Sequence, residues 1–202
     1  MDLAVIAIAF GAIFIVELPD KTFIAALVLS TRYRPLAVWL GVGLAFGVQT
    51  LVAVTAGTLA TLLPDVLIKS VAIAIFLIGA VVLLRTAPGA DEEEREAEQE
   101  YAARATEPKT FLRAAVASFL VLFAAEWGDL SQLLTISLVA RFDDHVDVFL
   151  GAWLALLTVS GLAVVAGRVL LRYLRLAVLH YVGAAVCLLL AVLTLVEVLT
   201  AS

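Results

Sequence analysis

Two stretches of this chain place ionisable residues where an apolar segment has no structural need of them. Glu17-Leu18-Pro19-Asp20-Lys21-Thr22 interrupts hydrocarbon that runs from Leu3 to Val16 and from Phe23 to Leu29. The spacing Phe14, Glu17, Asp20, Thr22 returns 109 positions later as Phe123, Glu126, Asp129, Ser131. A charge at such depth costs at least about 2.5 to 3.5 kcal/mol unless it finds a partner or water, so a function is expected to offset it.

Carried on continuous helices, Glu17 and Asp20 share one face, about 4.5 Å apart along the axis, as do Glu126 and Asp129. If the two copies face each other, four carboxylates meet in one small volume. Oxygen-only ligation suits hard divalent cations such as Ca²⁺, Mn²⁺ or Mg²⁺, and no Cys, Met or His cluster beside the motifs argues for a softer metal. Thr22, Ser131 and Gln132 offer additional neutral oxygens. Pro19 removes a backbone donor and kinks the first helix, and Gly128 gives the second copy local freedom. Four carboxylates and Lys21 sum to −3, so an empty site takes up protons and a bound cation displaces them. Competition for the same oxygens is the minimum requirement for cation/proton exchange.

The elements that must hold these groups are transmembrane helices. The 202 residues are 64% hydrophobic and 15% charged, with a mean hydropathy of +1.12, far outside the soluble globular range. No strand-like alternation suggests a barrel. Six spans are predicted, at about 3–30, 36–63, 66–84, 111–140, 146–167 and 174–199, giving an all-α integral membrane fold. Ten of the 13 Lys and Arg fall in loops on one side, which puts both termini outside the cytoplasm and the acidic stretch Asp91–Glu100 within it. The start lacks a basic region, so the first span is expected to be retained in an inner membrane. Cys187 stands alone and forms no internal disulfide.

Beyond the charged motif, Leu40-Gly41 repeats as Leu150-Gly151, Gly57 as Gly167, and Gly79-Ala80 as Gly183-Ala184. With an odd number of spans in each half, two inverted three-helix repeats follow, 1–85 and 111–202, joined by an acidic linker at 86–110. Such repeats place ion sites at their interface near the bilayer midplane.

The paired motifs resemble the Gdt-type cation/proton exchangers, a family of Golgi calcium and manganese transporters and bacterial manganese exporters. Its mark is Glu-x-Gly-Asp-Lys/Arg-Ser/Thr on the first and fourth of six helices, around an acidic cytoplasmic loop. The resemblance spans nearly the whole chain. It implies metal binding by Glu17, Asp20, Glu126 and Asp129, with Thr22 and Ser131 in support, and export of Mn²⁺ or Ca²⁺ against protons. Cation and proton are then substrates, the bilayer is the partner, and no resident cofactor, nucleic acid or enzymatic activity is expected. Pro19 replaces the first motif's glycine and Leu130 the second motif's basic residue; on this reading Leu130→Lys weakens divalent affinity.

A small-molecule exporter or a divalent cation channel would use a similar architecture. An amino-acid cargo, however, wants spare cationic groups, and only Lys21 is available; its expected role is a structural counter-ion. An aspartyl protease leaves the glutamates unexplained. Gln49, Thr50 and Ser160 are expected to form interhelical hydrogen bonds, Gly43-x-x-x-Gly47 to permit close packing, and Trp39 and Trp153 to pack or lie at the interface. Trp127 is a candidate seal for one side of the site. Asp143, Asp144, His145 and Asp147 read as a solvated outer loop, and Asp91–Glu100 as a solvated linker.

Overall fold

The computed structural model describes residues 1–18, 21–60, 62, 64–104, 110–173 and 176–201, and every regular element among them is helical. The first half comprises α1 (Leu3–Glu17), α2 (Lys21–Arg32), α3 (Pro35–Ala60) and α4 (Asp65–Thr86). A 3₁₀ turn, Ala87–Gly89, leads into α5 (Ala90–Arg104). The second half comprises α6 (Phe111–Ala125), α7 (Leu130–Phe142), α8 (His145–Tyr173) and α9 (Leu176–Ala201).

α3, α4, α8 and α9 each contain a stretch long and apolar enough to cross a membrane. Two bent pairs are also long and apolar enough if each is taken as one span: α1 and α2 meet at 71°, and α6 and α7 at 73°. The long spans predicted at 3–30 and 111–140 are therefore each divided at the charged motif. α4 and α9 pair with each other and turn outward a broad apolar surface that includes Leu67, Ile78, Leu189 and Val196, as lipid-facing helices do.

At the centre α3 crosses α8, and each long helix also receives one of the broken ones: α1 lies on α8 and α6 lies on α3. Glycine permits both approaches. A Cβ on Gly41 would overlap the Ala115 carbonyl oxygen, and one on Gly151 would come within 2.5 Å of the Ile6 carbonyl oxygen. Reciprocal indole bonds tie the central pair. Trp39 Nε1–H donates to the Leu157 carbonyl and Trp153 Nε1–H to the Gly43 carbonyl, both at 3.0 Å, which gives the two tryptophans a definite interhelical role.

Two polar segments differ from their sequence reading. The acidic stretch folds into α5, whose buried Ala97 and Tyr101 belong to the main apolar core, and the helix packs against α2. Asp147 is 1% exposed in the first turn of α8, where it accepts the Asp2 N–H, so it does not belong to a solvated loop. Its own N–H donates to Asp144 Oδ1 at 3.1 Å, a bond that holds the Asp144 carboxyl below the usual carboxylate range. Arg141 and Glu197 pair at 2.7 Å and join the ends of α7 and α9.

Candidate metal centre at the helix breaks

The break between α6 and α7 is built from the motif itself. α6 ends at Ala125 with Glu126 as its C-cap, and Asp129 is the N-cap of α7. Between them Gly128 has φ of +76°, a left-handed conformation in which a side chain would be strained. Asp129 accepts the N–H groups of Leu130 and of Ser131 and the Ser131 hydroxyl, the last at 2.9 Å. Asp129 thus satisfies N–H groups at the start of α7 that have no helical partner. Glu126 and Asp129 therefore do not sit one turn apart on a continuous helix; they cap facing helix ends.

Two glutamines hold the opened backbone. Gln132 accepts the Gly128 N–H at 3.2 Å and donates to the Glu126 carbonyl at 2.8 Å, bridging the break with both ends of its amide. Gln49, arriving from α3, donates to the Phe123 carbonyl at 3.1 Å. That carbonyl lies in the last turn of α6, whose carbonyls have no helical donor. The interhelical role expected for Gln49 holds. Ser160, by contrast, donates to the Leu157 carbonyl of its own helix.

α1 likewise ends at Glu17, 1% exposed. Pro19 and Asp20 lie outside the described residues, so neither the proline kink nor the fourth carboxylate is placed. Glu17, Glu126 and Asp129 converge: one carboxylate oxygen from each lies within 4.8 Å of the others. An ion at the centre of such a triangle would be at most about 2.8 Å from each oxygen, near the range of Ca²⁺–oxygen distances. Without an ion, each ionised pair at this spacing would repel by about 3 kcal/mol at an effective dielectric constant of roughly 20. A cation held among the three oxygens would relieve that repulsion. The C-terminal ends of α1 and α6, both at these breaks, add carbonyl dipoles that favour a cation.

The supporting residues divide. Ser131, 7% exposed, is bonded to Asp129, while the buried Thr22 hydroxyl has no hydrogen-bond partner among the described residues. Lys21 is exposed at the start of α2. Leu130 packs toward α4 and α9, its Cδ1 falling 2.8 Å from a Cβ built on Gly79, which lies beside Cys187. Trp127 is 56% exposed and meets Phe123 edge-on, an outward position rather than a seal over the carboxylates. Beside Glu126 is a small pocket of about 10 Å³, lined by Gln49, Thr50, Ser131, Gln132 and Thr135. Gln49 and Thr50 were legible only as mid-membrane polar residues; nothing local in the sequence ties them to Glu126.

Buried carboxylates gathered at interrupted, membrane-length helices are an arrangement able to hold a cation. A family model described as divalent cation/proton antiporter GDT1 matches residues 5–91 and 114–202, and the chain belongs to that family. Among relatives, it is 32% identical over 212 residues to the chloroplast protein PAM71 of Arabidopsis thaliana, covering 96% of this chain and 57% of that one. It is 37% identical over 166 residues to a GDT1-like protein of Synechocystis, covering 76% and 80%. A chloroplast GDT1-like protein of Oryza sativa subsp. indica is 31% identical over 212 residues, covering 95% of this chain and 62% of its own. The chain thus spans less than two thirds of the plant relatives' length. No solved structure matches it.

Proposed function

We propose that this chain exchanges a divalent cation for protons, with Glu17, Glu126 and Asp129 as carboxylate ligands and Asp20 as the fourth. The reading is carried by the convergence of three motif carboxylates within 4.8 Å, two of them buried. Mn²⁺ or Ca²⁺ is the proposed cargo, moved out of the cytoplasm across an inner membrane with both termini outside. Oxygen ligation supports a hard ion, and the excess of Lys and Arg on the cytoplasmic loops supports the orientation. Thr22 and Ser131 contribute or position neutral oxygens. Gln132 Oε1 accepts the Gly128 N–H and keeps a second lone pair that a cation could use while the break stays bridged.

The two halves act as inverted repeats around this centre. The separate family matches to each half support that arrangement, as do the parallel packing of α1 on α8 and α6 on α3. Cation binding displaces protons from the carboxylates, and release on the other side lets them return.

In proteoliposomes under an imposed pH gradient, Mn²⁺ and Ca²⁺ flux should saturate and be matched by opposite proton movement. Metal flux that is indifferent to the gradient and moves no protons would sink the exchange reading. A second test uses Thr22, whose buried hydroxyl has no hydrogen-bond partner among the described residues. Thr22→Val should leave metal-free thermal stability unchanged or slightly raised, because it removes a polar group costing about 1 to 3 kcal/mol when unsatisfied. The rise in Tm on adding Mn²⁺ should shrink. An undiminished rise would exclude Thr22 from the site.

A further inference from the structure

On the outer surface of the bundle α3 and α8 flank a groove of about 800 Å³, lined by Pro35, Leu36 and Trp39 of α3 and by Leu154, Leu157 and Val165 of α8. Leu36, Leu154 and Val165 are exposed. The indole bonds from Trp39 to Leu157 and from Trp153 to Gly43 run the two helices antiparallel, so the start of α3 lies beside the Val165 end of α8. From Leu154 to Val165 α8 rises about 16 Å, at roughly 1.5 Å per residue. That is the depth of one leaflet of hydrocarbon, half of a core roughly 30 Å thick.

The walls and the mouth of the groove differ in chemistry. Thr158 lines it too, but its hydroxyl donates to the Leu154 carbonyl of its own helix at 2.7 Å, and the Trp39 N–H is taken by the Leu157 carbonyl. Neither donor is left for a polar ligand, so the walls suit a hydrocarbon chain. At the mouth, Arg34 directly precedes Pro35, and Arg32 closes the last turn of α2. Both are exposed, and neither guanidinium has an ion pair or hydrogen bond among the described residues. They belong to the side that the excess of Lys and Arg assigns to the cytoplasm, whose leaflet attracts basic groups through its anionic lipids. A guanidinium is well matched to a phosphate.

We infer that this groove seats one anionic phospholipid of the cytoplasmic leaflet, with an acyl chain between α3 and α8 and its phosphate at Arg34 and Arg32. A lipid held there covers the Trp39–Leu157 bond and braces the central crossing from outside. A second copy of the chain suits the groove less well. Related by an axis along the membrane normal, it would bring its own Arg32 and Arg34 to the same level, like charge against like. The inference is independent of the exchange reading, because it concerns binding and not flux.

The test uses the purified full chain in detergent. Added phosphatidylglycerol should raise the Tm, and phosphatidylcholine with the same acyl chains should raise it less. Native mass spectrometry should find one phosphatidylglycerol retained per chain, and glycerol phosphate, the headgroup chemistry without chains, should not stabilise. Arg32→Gln and Arg34→Gln combined should raise the half-saturating phosphatidylglycerol concentration on the order of 30-fold, since each basic group near an anionic surface contributes about fivefold. Arg85→Gln removes an exposed charge from the same side but at the end of α4, away from the groove, and should change it little. Thr158→Phe fills the groove midway and Leu36→Trp fills it near the mouth. Both side chains are exposed, so each variant should keep the lipid-free Tm of the parent and lose the retained lipid. Equal stabilisation by the two lipids, stabilisation by glycerol phosphate alone, equal loss in Arg85→Gln and the double variant, or full retention in both filled variants would overturn the inference. So would a dimer that persists without lipid and is broken by Thr158→Phe, which would give the face to a second copy.

Discussion

Glu126→Gln is expected to lower proton-coupled divalent flux by on the order of 100-fold or more, because groups that merely support a metal ligand already cost 10- to 100-fold. The amide keeps the volume and one oxygen, so the helix break should survive. What disappears is the negative charge and the capacity to exchange that charge for a proton. Glu126 caps α6 through its backbone, and its N–H donates to the Leu122 carbonyl whatever the side chain. Loss of transport should thus come without loss of fold: the variant should reach the membrane, purify with a Tm near that of the parent, and fail to be stabilised by Mn²⁺. Glu17→Gln should behave similarly. Unimpaired exchange in both variants would falsify the assignment of the centre.

The second large effect is structural. Gly41→Val and Gly151→Val should each strongly reduce folded yield, since even a Cβ at these positions meets a backbone carbonyl oxygen, that of Ala115 or Ile6. Backbone cannot yield as a side-chain end can. Overpacking that side chains absorb costs about 1 to 3 kcal/mol, and here the cost should exceed that range. Gly11 provides the control, because nothing lies within 4 Å of a Cβ built there. Gly11→Ala should leave thermal stability in detergent unchanged. If Gly41→Val is tolerated as well as Gly11→Ala, the close approach of α6 to α3 is not a requirement of the fold.

The spans were legible because lipid selects composition over roughly 20 residues at a time, and that signal survives without knowledge of neighbours. The carboxylates were legible for the opposite reason, as expensive exceptions within that composition. The break between α6 and α7 was not. Apolar residues continue on both sides of Glu126 and Asp129, so a continuous helix was the expected geometry, and Gly128 alone did not specify an interruption. The break depends on Asp129 turning from a helix-face residue into an N-cap and on Gln132 reaching back to Glu126. Gln49 lies still further from local reading, since its partner Phe123 is 74 positions away. Asp147 misled because an Asp-Asp-His-Val-Asp run has the composition of a wetted loop, and only its approach to Asp2 shows that it is buried.

The reciprocal tryptophan bonds have a mechanical consequence. Each is worth only about 0.5 to 1.5 kcal/mol. Because Trp39 is anchored on α8 and Trp153 on α3, however, sliding one helix along the other must break both together. The crossing is a stiff axle. Compliance is left to the parts hung on it, the half-helices that meet at 71° and 73° and carry the acids at their bends. A molecule made this way would move its cargo by flexing two elbows about a fixed spindle, with the charges riding in the joints.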